Sequence, residues 1–199
     1  MVTITLITDR RRLAGGDLTA LVREAAAAGV DTVQVREKDL GGRALRALVA
    51  EVVAAAAGAA MVLVNGRPDV AVAVDAQGVQ LPEDGLPVRE VKRSFSSLVV
   101  GASRHSVDGA RRAEAEGADF VLLGPVFGTP GKEGRALGLG PLSEAARSLR
   151  IPVHAVGGID AGNARRVVEA GARGLAAIRP FLQGRAAQAV RALRAGDTA

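Results

Sequence analysis

The 199-residue sequence predicts an α/β fold, a (β/α)₈ TIM barrel forming a single domain over residues 1–199. Three observations carry this reading. Short apolar runs of β type recur eight times along the chain. Alanine-rich amphipathic stretches or tighter linkers separate them. One phrase, a helix end followed by a glycine and a buried strand, appears three times, as AAAAGVDTVQV (25–35), AEAEGADFVLL (113–123) and VEAGARGLAAI (168–178). Strands alternating with helices imply βα units and a parallel sheet. Eight such units close into a barrel whose catalytic groups sit at the C-terminal ends of the strands and in the loops that follow.

The predicted strands cover residues 2–8, 31–36, 61–65, 78–81, 98–102, 118–124, 152–158 and 173–178. Gly29, Gly117 and Gly171 fall just past helices, where glycine adopts the left-handed cap conformation without steric cost. After the second strand, Leu45, Leu48, Val49, Val52 and Val53 follow i, i+3, i+4 spacing and give a helix one apolar face. DVAVAVD (69–75) alternates like a strand. Pro68 before it, and the strand-like runs on both sides, predict instead a short helix with Pro68 in its first turn. Asp160, Ser143 and Ser106 are candidate N-caps. Residues 128–140 (GTPGKEGRALGLG) are the longest irregular stretch. Their glycines suit either a solvated connector or a lid that closes over ligand.

Composition narrows the chemistry. At 48% hydrophobic residues and 2% aromatic, with no Trp or Tyr, the core falls to Ala, Val, Leu and Ile. The absence of cysteine excludes disulfides, a thiolate nucleophile and cysteine zinc sites, and fits a reducing compartment. Two histidines without cysteine also argue against zinc. A formal charge of +5 favours anionic partners. The basic residues are dispersed and few aromatics could stack on bases, so small phosphorylated substrates are expected rather than nucleic acid. The longest apolar run, 52–64, is too short to span a bilayer, so no membrane partner is expected. The N-terminal strand runs into Asp9-Arg10-Arg11-Arg12, which does not read as a signal peptide, and the expected location is cytoplasmic. A homodimer is compatible with the sequence, a second subunit completing the rim of the mouth.

The chemistry-bearing residues cluster at the predicted strand ends. In VQVREK, Gln34, Arg36 and Lys38 alternate and share one face. Long polar side chains are costly against an apolar helix layer, which points them into the barrel mouth as an anion clamp. The plainer alternative is a salt-bridge set with Glu37 and Asp39. Gly157 and Gly158 after the seventh strand, and Ile178 and Arg179 at the end of the eighth, occupy the loops that bind phosphate in many barrels. Backbone N–H groups and a helix N-terminus at Pro180 would be the donors. The alternative is that the glycines only make a tight turn. Thr129 and Lys132 lie in GTPGK, which lacks P-loop spacing. Ser103 and His105 end the fifth strand; a Ser–x–His hydrolase lacks both a nucleophile elbow and a third member. His154 falls within the seventh strand and reads as buried and structural. Asn65, Arg67 and Asp69 end the third strand, and Gln80, Glu83 and Asp84 the fourth. Their carboxylates are the candidates for magnesium, which wants oxygen ligands.

In this order the motifs resemble the thiamine phosphate synthase / thiazole tautomerase (TenI-type) superfamily. The resemblance runs from LITDR (6–10) through VQVREK, VNGRPDVAVAVDAQGVQLPEDG, GASRHS and GADFVLLGPVFGTPGK to VHAVGGIDAGNARRVVEAGARGLAAI. It implies a (β/α)₈ barrel that joins hydroxymethylpyrimidine pyrophosphate to a thiazole phosphate, giving thiamine phosphate and pyrophosphate. It also implies roles. Gln34, Arg36 and Lys38 match the pyrophosphate side. Asn65 and Ser103 match positions near the pyrimidine and pyrophosphate. Thr129 and Lys132 match the loop that closes on the pyrophosphate. Gly158, with the end of the eighth strand, matches the thiazole phosphate site. Arg36, Lys38, Ser103 and Lys132 are then the expected catalytic set. Gln34, Asn65, Arg67, His105, Thr129, Gly157, Gly158, Ile178 and Arg179 are the expected substrate-binding set.

The chain departs from the synthase pattern at two acidic positions. Asn65-Gly66-Arg67 replaces Asn-Asp-Arg, and Gln80-Leu81-Pro82-Glu83-Asp84 replaces His-Leu-Gly-Gln with its following aspartate. Magnesium would then rest on Asp84 and Glu83, or on Asp69. These departures lean toward the tautomerases, in which His105 or Glu37 would shuttle the proton. Gly124-Pro125, where tautomerases carry a histidine, leans back to the synthases, as do the complete Gln34/Arg36/Lys38 set and Lys132. A non-catalytic thiazole or thiamine phosphate binding protein is a third reading. A further one is another phosphate-binding barrel isomerase or lyase, though its usual carboxylate or lysine is not evident.

Overall fold

The three repeated phrases fold as three copies of one junction. Gly29, Gly117 and Gly171 have φ of 89°, 95° and 99°. Their N–H groups bond the carbonyls of Ala26, Glu114 and Val168, and the next N–H in each copy bonds Ala25, Ala113 and Val167. This is a Schellman cap, which closes a helix and turns the chain toward the next strand. In two copies an aspartate follows. Asp31 and Asp119 accept the backbone N–H of Ile4 and Val100 at 2.7 Å each and so bind the neighbouring strand. In the third copy Arg173 stands there, and its backbone makes the cross-strand bonds, the N–H to Val153 at 2.8 Å and the carbonyl from Thr3 N–H at 2.9 Å.

A computed structural model describes residues 1–13, 16–128, 134, 136–182 and 186–197. Strands and helices alternate as β1 (Thr3–Ile7), α1 (Leu18–Ala27), β2 (Thr32–Val35), α2 (Gly42–Ala56), β3 (Met61–Asn65), α3 (Pro68–Ala73), β4 (Gly78–Leu81) and α4 (Val88–Ser94). They continue as β5 (Val99–Arg104), α5 (Val107–Ala115), β6 (Phe120–Leu123), α6 (Leu139–Ser148), β7 (Val153–Val156), α7 (Ala164–Glu169), β8 (Gly174–Ala177), α8 (Arg179–Leu182) and α9 (Ala186–Arg194). All strands are parallel and close in sequence order, β8 returning to β1 with Thr3 opposite Gly174. This is the (β/α)₈ barrel that the spacing predicts.

Alternation along the strands divides the molecule into two cores. Ile4, Leu6, Val33, Val35, Val62, Val64, Val79 and Leu81 pack outward with the apolar faces of the helices. Inside, Ile7, Leu122 and Ala176 form a smaller apolar cluster. Below it, the Phe120 and His154 rings stack at 4.8 Å between centroids. Glycines make room for these rings: a Cβ at Gly101 would lie 2.3 Å from Phe120 Cζ, and one at Gly174 2.5 Å from His154 Cγ. With so few aromatics, the interior is filled by aliphatic side chains and two rings fitted against bare backbone.

Several local expectations are corrected. The Asp160 side chain does not cap a helix: α7 starts at Ala164 behind Asn163, and the Asp160 carboxylate accepts the Gly162 N–H of the preceding turn, at 2.9 Å. Ser143 lies inside α6, whose N-cap is Gly138. Ser106 does cap α5, accepting from Gly109 N–H. Residues 69–75 are helical from Pro68 to Ala73, with Pro68 in the first turn. Strand β5 runs on to Arg104 because Ser103 and Arg104 still pair with Leu122 and Leu123.

Candidate active site

At the C-terminal ends of the strands lies a cavity of about 660 Å³. Its polar floor is built from side chains on neighbouring strands. Gln34 of β2 donates to Asn65 of β3 at 3.1 Å, and Gln80 of β4 donates to the Ser103 hydroxyl of β5 at 2.9 Å. Gln34, Asn65 and Ser103 line the cavity. Gln34 Oε1 is buried without a hydrogen-bond partner among the described residues, so the floor holds an acceptor for a ligand donor.

The wall beyond β2 is set by Glu37. This buried carboxylate accepts from the Thr8 hydroxyl at 2.6 Å, from Arg10 N–H at 3.1 Å and from the Arg10 guanidinium at 3.0 Å. Arg10 also forms a bidentate pair with Asp39 at 2.8 and 2.6 Å, which holds the Asp39 carboxyl at about 2 and raises the guanidinium further. The salt-bridge alternative is thereby corrected: Glu37 and Asp39 serve Arg10, not Arg36 or Lys38. Both of those cations line the cavity and have no ion pair among the described residues. Glu37 does not line the cavity, since all its bonding capacity points into the β1–β2 junction.

Opposite, after β5, His105 enters the cavity wall. Its N–H bonds Glu83 Oε2 at 2.7 Å, and its ring Nδ1 donates to the Gly124 carbonyl. A carbonyl only accepts, so Nδ1 carries the proton and Nε2 remains available. Arg104 is half-buried behind this wall, and burial lowers its pKa from the usual value.

Between β7 and β8 the wall is backbone. Gly157 and Gly158 have φ of 95° and 66°. A Cβ on Gly157 would lie 2.4 Å from Pro125 Cβ, and one on Gly158 2.7 Å from Phe127 Cβ. The pair is pinned on both sides: Gly157 accepts from Phe127 N–H at 3.0 Å, and Gly158 from Asn163 at 2.8 Å. Ile178 and Arg179 complete this edge. The helix expected at Pro180 begins here, α8 being helical from Arg179 to Leu182; residues 183–185 lie outside the described residues, and α9 is helical from Ala186.

Not every expected residue arrives. Arg67 is outside the cavity lining because it forms a bidentate pair with Asp69 at 2.8 and 2.6 Å; the pair removes Asp69 as well. Thr129 and Lys132 lie outside the described residues, as do the other residues of 129–133 and residue 135 of the predicted lid. Glu83 lines the cavity, but one oxygen is committed to His105 N–H, which leaves Asp84 as the carboxylate of that loop with no engagement among the described residues. Among the described residues no group of three or more His, Cys, Asp or Glu could hold a metal ion. An all-protein magnesium cage therefore does not fit; Gly66 stands where the resemblance expects an aspartate. Two charged lining residues carry no predicted role, Asp9 and Arg12. The signal for them was the LITDR strand end running into an arginine triplet.

Residues 4–181 match the family model described as thiamine monophosphate synthase. The chain is 41% identical over 179 residues to a putative thiamine-phosphate synthase 2 of Aquifex aeolicus, covering 89% of this chain and 96% of the relative. It is 42% identical over 195 residues to a thiamine-phosphate synthase of Methanoculleus marisnigri, covering 95% and 92%. Among solved structures, the thiamine phosphate pyrophosphorylase of Pyrococcus furiosus superposes with a TM-score of 0.90 at 34% identity, over 98% of this chain and 95% of that one. A 3-hexulose-6-phosphate synthase, with a TM-score of 0.67 and 21% identity, shares the fold alone.

Proposed function

The chain belongs to the thiamine monophosphate synthase family, and from that premise we propose that its cavity condenses hydroxymethylpyrimidine pyrophosphate with thiazole phosphate, giving thiamine phosphate and releasing pyrophosphate. The observation that carries this reading is the separation of two anion-binding edges across one polar floor. Arg36 and Lys38 stand on the β2 edge, and Gly157, Gly158 and Arg179 on the β7–β8 edge. A reaction between two phosphorylated substrates needs two such edges, and the neutral amides of Gln34 and Asn65 suit the heterocycle held between them.

The chemistry follows from charge. As the bond from the pyrimidine methylene carbon to oxygen breaks, its electron pair leaves with the pyrophosphate. Arg36 and Lys38, on the cavity wall and free of carboxylate partners among the described residues, stabilise that developing charge. The thiazole nitrogen supplies the pair for the new carbon–nitrogen bond, so no general base is required. The Ser103 hydroxyl is placed to donate to the pyrophosphate as it departs, while His105, whose ring proton is held on Nδ1 by the Gly124 carbonyl, leaves Nε2 as an acceptor. Lys132 and Thr129 belong to this reading by resemblance.

Magnesium enters this reading as the ion of the pyrophosphate substrate, for which one or two carboxylates suffice. Asp84 is the carboxylate able to meet it, with the remaining oxygen of Glu83. The tautomerase alternative is weakened by the commitment of Glu37 to Thr8 and Arg10. The lack of cysteine supports a reducing, cytoplasmic setting, and a homodimer is compatible with it. No helix among the described residues is long and apolar enough to cross a membrane. The test is thiamine phosphate formation from the two substrates and magnesium, read as thiochrome fluorescence. Turnover supports the synthase; binding of both substrates without product supports a binding protein.

A further inference from the structure

We infer that Arg12 is a further pyrophosphate-binding residue, acting beside Arg36 and Lys38; the inference rests on the reaction proposed above. Three consecutive arginines form one 3-10 turn after β1, and their surroundings separate their roles. Arg10 is spent on structure, held by Glu37 at 3.0 Å and by both oxygens of Asp39. Arg11 is exposed and does not line the cavity. Arg12 lines the cavity, its side chain 56% exposed, and its counter-charge among the described residues is Asp9, at 3.9 Å.

The anchored member decides which substrate Arg12 serves. Arg10 ties the turn to the loop that carries Arg36 and Lys38, since Glu37 and Asp39 sit between and beyond those two cations. Arg12 therefore belongs to the pyrophosphate wall rather than to the glycine edge after β7. Its pairing with Asp9 is at the limit of an ion pair, which costs little to exchange for phosphate oxygens. Asp9 lines the same cavity and would by itself repel an anion, so Arg12 also screens it. As the leaving group gains charge, the guanidinium can take two phosphate oxygens at once.

Arg12→Ala and Arg11→Ala remove the same charge from the same turn, and they form the test. Titration of each protein with inorganic pyrophosphate gives the affinity directly; steady-state assays give KM for each substrate. The expected result is pyrophosphate affinity and KM for the pyrimidine pyrophosphate worse by about tenfold or more in Arg12→Ala, with KM for thiazole phosphate unchanged. Arg11→Ala stays within about twofold of the parent, a general field effect screened by salt. Equal behaviour of the two variants, or an effect confined to thiazole phosphate, overturns the inference. If the parent forms no thiamine phosphate, the proposed reaction fails, and the pyrophosphate titration still judges Arg12.

Discussion

The Thr8 hydroxyl donates to Glu37 Oε1 at 2.6 Å while accepting the Arg36 N–H at 3.0 Å, so one side chain at the end of β1 fixes both the buried carboxylate and the backbone of the clamp arginine. Neither residue is in contact with the cavity. Together they set where Arg36 and Lys38 leave the strand.

Thr8→Val keeps the shape and removes the hydroxyl. Glu37 then loses one donor and Arg36 N–H its acceptor, both in a buried setting. We expect a loss of about 1–3 kcal/mol in urea unfolding, and a kcat/KM that falls further than Thr8→Ser makes it fall. A variant as stable and active as the parent would show that the junction does not position the clamp.

Arg36→Ala and Lys38→Ala remove preplaced charge from the leaving group. Each should cost about 10²–10³ in kcat/KM, with little change in stability, because neither makes an ion pair among the described residues. In the parent, affinity for inorganic pyrophosphate should fall steadily as sodium chloride rises. Calorimetric titration at low and high salt checks this, and a salt-independent affinity would contradict a cationic clamp.

Gly158→Ala tests the opposite edge. The φ of 66° and the 2.7 Å approach of a Cβ to Phe127 Cβ penalise any side chain there. A stability loss of about 1–3 kcal/mol is expected. KM for thiazole phosphate should rise, with KM for the pyrimidine pyrophosphate little changed. The reverse pattern in KM would exchange the two edges.

These edges differ in how far the sequence alone reveals them. Period-two spacing brought Gln34, Arg36 and Lys38 to one face, and glycines marked the bend after β7, because both features are local. Arg67 looked equally suited, yet a carboxylate two residues away captured it. Glu37 read as a proton carrier or as a partner for Arg36, but its real partners, Thr8 and Arg10, are 29 and 27 residues distant. Asp9 and Arg12 were hidden among like neighbours; only the turn decides which of three arginines meets the cavity. The barrel was legible because its strand and cap signals repeat. Pairing across strands carries no such periodicity.

Asp84→Asn tests the magnesium reading. With no all-protein cage, the variant should need more magnesium for half-maximal rate while keeping its affinity for thiazole phosphate. EDTA should abolish turnover in the parent. Activity that survives EDTA would remove the ion from the reaction, and an unchanged magnesium requirement in Asp84→Asn would remove Asp84 from the site.

His154 makes the barrel interior sensitive to acid. Its ring is buried against Phe120, its Nδ1 has no hydrogen-bond partner among the described residues, and desolvation lowers its pKa from 6.5 to about 4. Between those values the unfolded chain binds a proton that the folded chain refuses, so stability is complete above about pH 6.5 and falls as the pH drops toward 4. Over that window the loss is roughly 3 kcal/mol. His154→Gln keeps a polar side chain that cannot titrate. Urea unfolding of the parent should weaken between neutral pH and pH 4 by that much more than unfolding of the variant, and the two should run parallel below pH 4. Profiles parallel throughout would mean that water or a shifted ring lets His154 take up its proton inside the folded barrel.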